Sequence, residues 1–167
     1  MPDGRAHPLS DPVFVSGLRP IPSGIADEVA TWSASDLQGS DPDGLPVAVH
    51  LGEVDRPVLL VFLATQCDGC DQFWFGLTAR TDPVLADVLP VVVTKGPDAV
   101  PAGEVGELTA GLRDLPVVMS DRAWADYRVT GYPFIVLVEP SSRRILAETV
   151  GFGWSDVAAT VRAGIGR

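Results

Sequence analysis

Residues 58–64 form an unbroken apolar run of strand length, the pattern of a strand buried on both faces of an α/β sheet. Similar runs recur at 89–94 and 134–138, with a shorter one at 115–119. Residues 45–51 alternate instead, placing Val47, Val49 and Leu51 on one face. Residues 29–33 are predicted to be a short strand that pairs with 45–51 across a turn-rich loop at 36–44. Residues 144–150 are a further strand. The turn Glu139-Pro140-Ser141-Ser142 folds it back on 134–138 as an antiparallel hairpin.

Between these runs the apolar period lengthens. Phe73, Trp74 and Leu77 follow a short polar turn at helical spacing. That helix is expected to kink near Gly76 and Asp82-Pro83 and to resume through Leu85 and Val88. After a loop at 97–103, Val105, Leu108 and Leu112 mark one face of a second helix. Ser120-Asp121 is an N-cap signal for a third over 122–127, with Trp124 and Tyr127 as core anchors. Ser155-Asp156 is expected to cap a last helix carrying Val157, Ala158 and Val161. The whole reads as an α/β chain, a central mixed sheet flanked by helices, with an N-terminal β-hairpin extension.

Length and charge narrow the picture. At 167 residues the chain is expected to be one domain with a substantial core. It divides into a loosely packed leader, 1–28, rich in proline, and a folded part, 29–167. Residues 13–15 are the one ordered piece expected in the leader. A net charge of −10 argues against nucleic acid or an anionic membrane surface as partner. The longest apolar run is too short for a membrane span. The first residues show neither a basic n-region nor an apolar h-region. The chain is therefore expected in the cytoplasm, or outside it if the true N-terminus lies further upstream. A monomer is expected.

The chemistry concentrates at Cys67-Asp68-Gly69-Cys70, directly after the 58–64 run. Two cysteines three apart at a helix start lie about 5–6 Å apart, within reach of a disulfide. The unpaired N–H groups and positive end of a helix favour thiolate at Cys67. Thiolate is the attacking species in disulfide exchange, so Cys67 is the expected nucleophile. Cys70, one turn further in, is expected to be shielded and to resolve the mixed disulfide. These are the only cysteines, and His7 and His50 the only histidines. A zinc site would need carboxylates to complete its ligand set. The redox dithiol is preferred to a metal site or an inert pair, with no metal and no cofactor beyond the dithiol itself.

Strand, Cys-x-x-Cys, helix, then Gly131-Tyr132-Pro133 before a strand hairpin and a final helix resembles the thioredoxin-like superfamily, most of all proteins of the TlpA and MauD type. The likeness spans roughly residues 58–164. It implies a thioredoxin-like fold and a thiol–disulfide oxidoreductase. It also implies that Pro133 is cis and faces the dithiol. The backbone of Tyr132 would pair with an extended substrate segment, as in strand-addition recognition. Gln66, Asp68, Gly69, Tyr132 and Pro133 would then contact substrate, with Cys67 and Cys70 catalytic. The implied partners are a protein disulfide and a thiol reductase or other electron donor.

The sequence departs from thioredoxin at several of these positions. Gln66 replaces the tryptophan before the first cysteine, and Asp71 replaces the lysine after the second. Val61 stands where the buried proton-accepting aspartate is expected. Asp68 and Asp71 disfavour the Cys67 thiolate against the pull of the helix end. The couple is accordingly expected to be reducing, below about −180 mV. The second reading of the sequence is a thioredoxin-fold binding or adaptor protein with a slow or regulatory dithiol.

Overall fold

The computed structural model describes residues 33–166, apart from Arg113 and Phe152. The expected leader, its piece at 13–15 and most of the expected strand at 29–33 lie outside the described residues. Seven strands form one mixed sheet in the order β2-β1-β5-β4-β3-β6-β7. They are β1 (Leu37–Ser40), β2 (Pro46–Val49), β3 (Val58–Phe62), β4 (Leu89–Thr94), β5 (Val117–Met119), β6 (Phe134–Glu139) and β7 (Arg144–Val150). The helices are α1 (Asp71–Ala79), α2 (Ala102–Thr109), α3 (Asp121–Asp126) and α4 (Trp154–Ile165).

β3 runs parallel to β4 and antiparallel to β6, and β4 runs parallel to β5. Every residue of β3 is buried, as its unbroken apolar run requires. The period-2 alternation divides that run between two cores. Leu59 and Val61 join Phe73, Trp74 and Leu77 of α1, Val105 of α2 and Val157 and Val161 of α4. Val58, Leu60 and Phe62 join Trp124, Tyr127 and the hairpin residues Leu37 and Val49 on the opposite face.

Several boundaries differ from the sequence expectation. The partner of β2 is β1, inside the stretch expected to be a loop. The turn needs only residues 41–45: the Asp41 carboxylate accepts from the N–H groups of Asp43 and Leu45 at 2.9 Å each, and Gly44 takes a positive φ of 84°. Residues 37–40 are left free to pair, anchored by buried Leu37. Ser33 makes only an isolated bridge to Arg144.

α1 neither kinks at Gly76 nor resumes beyond Pro83. It ends at Arg80, in the left-handed region at φ 50°, whose N–H donates to the Gly76 carbonyl at 2.9 Å. Residues Pro83–Ala86 form a separate short 3₁₀ turn capped by Asp82. α2 begins earlier than expected, at Ala102, inside the expected loop. Ser120 caps α3 as expected, its Oγ accepting from the Ala123 N–H at 3.1 Å. Gly153, not Ser155, stands at the N-cap of α4. Asp156 falls in the first turn, where a carboxylate suits the helix end.

Candidate functional site

The parallel strands β3, β4 and β5 all end at one edge of the sheet, and β6 begins there, with Phe62 opposite Phe134. This edge collects the chemistry. The chain leaves β3 through Ala64, whose carbonyl accepts from the Trp74 indole N–H at 3.4 Å. Cys67 then opens a 3₁₀ turn, Asp68–Cys70, that runs directly into α1. The Cys70 N–H donates to the Cys67 carbonyl at 2.9 Å.

Cys67 and Cys70 form a disulfide, with Cα atoms 5.2 Å apart. Their surroundings are unequal. Cys67 is half-buried, whereas Cys70 is fully buried in the core beneath α1. The Cys67 sulfur is therefore the more accessible of the two.

The other residues singled out in the sequence take their places around this pair. The Tyr132–Pro133 peptide bond is cis. Pro133 is buried, and its carbonyl accepts from the Gly151 N–H at 2.9 Å. Gly69 lies against it: a Cβ added there would stand 3.5 Å from Pro133 Cδ. Tyr132 is 48% exposed. Among the described residues its backbone has no hydrogen-bond partner, which leaves one N–H and one carbonyl unpaired. Gln66, Asp68 and Asp71 are exposed. The structure brings Cys67, Gly69, Cys70 and Pro133 together, and among the described residues the Gln66 side chain makes no hydrogen bond.

Two residues of this edge were not expected there. Lys95 follows the end of β4, and its Nζ lies 5.2 Å from the centroid of the Trp124 ring. Trp124 was expected only as a core anchor; it is 5% exposed and also packs edge-on against Tyr132, with centroids 5.9 Å apart. Nothing local in the sequence marks Lys95, because the ring it sits on comes from α3. Among the described residues no group of three His, Cys, Asp or Glu side chains is placed to hold a metal ion. None of the described helices is long and apolar enough to cross a membrane.

Comparison with known proteins agrees on the architecture. DsbF of Mycobacterium tuberculosis, whose structure holds mixed oxidised and reduced forms, is 18% identical with a TM-score of 0.59, covering 81% of this chain and 97% of its own. A thioredoxin-family thiol:disulfide interchange protein from Chlorobium tepidum is 17% identical at 0.60, covering 80% and 95%. A secreted disulfide oxidoreductase of M. tuberculosis homologous to E. coli DsbE is 17% identical at 0.56, covering 83% and 99%. The fold is thioredoxin-like. No protein-family model matches the chain, and no curated protein does.

Proposed function

We propose that this chain is a thiol–disulfide oxidoreductase acting on protein disulfides. One observation carries the reading: a Cys67–Cys70 disulfide at a helix start, its outer sulfur accessible and its inner one buried, beside a cis-proline loop with free backbone groups. In the reduced enzyme the Cys67 thiolate attacks a substrate disulfide, forms a mixed disulfide and expels one substrate thiolate. Cys70 then gives up its proton and attacks the Cys67 sulfur, which expels the second substrate thiolate. The Cys67–Cys70 disulfide forms and two electrons have passed to the substrate, whose two thiolates take up one proton from Cys70 and one from solvent. A thiol donor resets the enzyme.

Gln66, Asp68, Gly69, Tyr132 and Pro133 line the approach in this reading, and the backbone of Tyr132 holds the substrate strand. The test is insulin reduction. Cys67→Ser abolishes turnover, and Cys70→Ser accumulates mixed disulfides visible on non-reducing gels. Wild-type activity in both variants overturns the assignment. A redox titration adds the direction of flow and the compartment. A potential below about −230 mV suits the reducing cytoplasm expected from the sequence, and one above about −180 mV suits an oxidising compartment.

A second reading is a binding or adaptor protein with a slow dithiol. It is favoured by the absence of any buried carboxylate among the described residues, where Thr94, Ser120 and Thr149 are the buried polar groups. On that reading the double variant Cys67→Ala, Cys70→Ala binds its partner as the wild type does.

A further inference from the structure

The edge that carries Cys67 has an uneven distribution of charge. Asp68 and Asp71 stand exposed on the dithiol side. A continuous path leads away from them, from Gly69 to Pro133, to the exposed ring of Tyr132, to the edge of Trp124, and to Lys95. Lys95 is exposed, and among the described residues no carboxylate pairs with it. The nearby Asp121 carboxylate is engaged otherwise, accepting from the Gly96 N–H at 3.0 Å.

The position of the ammonium is built. The Trp124 ring beneath it is wedged edge-on against Phe62, with centroids 5.9 Å apart, and edge-on against Tyr132. Its indole N–H is buried without a partner, so packing alone sets the orientation of the ring. The ring face attracts the cation, and the same ring meets Tyr132 at its edge. A cation with no carboxylate partner among the described residues thus sits one aromatic ring away from Tyr132, whose backbone is proposed to bind the substrate strand, in a chain of net charge −10.

We propose that Lys95, seated on Trp124, is a specificity residue that selects protein substrates with an acidic side chain flanking the reacting cysteine on the side away from Asp68. This rests on the oxidoreductase reading and on strand pairing at Tyr132. The site reads an electrically asymmetric segment: an acidic residue gains on the Lys95 flank and loses on the aspartate flank.

The test uses the full chain and disulfide-bonded peptides carrying Glu, or its isostere Gln, two residues before or after the cysteine. At low salt the Glu peptide is reduced about two- to fivefold faster in kcat/KM than its Gln partner on one flank only, the size of an exposed ion pair. The preference fades at high salt. Lys95→Gln removes the preference and Lys95→Arg keeps it. Equal rates for Glu and Gln peptides on both flanks overturn the proposal while leaving the oxidoreductase standing. A preference that survives Lys95→Gln does the same. No exchange with any peptide or with oxidised glutathione overturns both.

Discussion

Cys70 shares its core cluster with Leu63, Phe73, Trp74 and Ile135, and Val61 on β3 faces the same layer, fully buried. On the oxidoreductase reading Cys70 attacks from this apolar shell, and no buried carboxylate among the described residues stands there to take its proton. Resolution of the mixed disulfide is therefore expected to be slow at neutral pH and to quicken as pH rises toward 9, as stopped-flow trapping of the intermediate can follow. Val61→Asp supplies the base. It is expected to raise the resolution rate at pH 7 by about tenfold or more, while destabilising the fold by about 3 kcal/mol through a buried acid. An unchanged rate in a folded Val61→Asp variant assigns the proton to solvent. At this scale the Cys67–Cys70 pairing was legible in the sequence because the two cysteines are near neighbours in the chain, and the cis Tyr132–Pro133 bond was implied by the resemblance. The seat of Lys95 was not legible, because the Trp124 ring reaches it only through the β4–β5 register.

α1 is held by a ring from the other end of the chain. The Trp154 indole donates to the Gln72 carbonyl at 3.2 Å and packs on Phe73 at 5.0 Å between centroids. A Cβ on Gly76 would run into that indole. Alanine is the better helix former by about 1 kcal/mol, yet overpacking against a ring fixed on two sides costs about 1–3 kcal/mol. Gly76→Ala is expected to lose up to about 2 kcal/mol net in urea unfolding, whereas intrinsic propensity alone would give a gain. The same contact explains why Gly76 reads as a kink in the sequence and is none in the structure. Its missing side chain makes room for another element, which a reading of local pattern cannot detect. Gly39 is the parallel case. A Cβ there would meet the Met119 backbone, so a residue typical of loops marks the close approach of β1 to β5. The central strands were legible because burial on both faces writes itself as an unbroken apolar run.

Away from the dithiol, at the other end of β6, charge ties the chain before β1 to the sheet. The Asp36 carboxylate receives Arg143 at 2.8 Å, the Leu51 N–H at 3.0 Å and His50 Nδ1 at 3.4 Å. The Ala34 N–H adds a bond to the Arg143 carbonyl at 2.7 Å. The Arg143 hydrogen bond, foremost, holds the Asp36 carboxyl below its usual range. Beside it, the hydroxyls and N–H groups of Ser142 and Ser141 pull Glu139 from 4.5 down to about 2. Both folded-state values are depressed, so their stabilisation is present above about pH 4.5 and is lost as pH falls toward 2. Asp36→Asn is expected to cost about 1–2 kcal/mol at pH 7 and much less at pH 2. Melting curves of Asp36→Asn and wild type should then converge in acid, and a constant gap would show that the charge is not what matters.

The length of β6 has a consequence for altering this protein. Phe134–Glu139 carries the sheet about 17 Å from the cis-proline end to the acid-sensitive end, roughly twice the screening length at physiological salt. Charges rearranged around Asp36 and Glu139 are thus electrically remote from Cys67. Endurance in acid and electron-transfer potential sit on separate dials, and a designer or natural selection can turn one without moving the other.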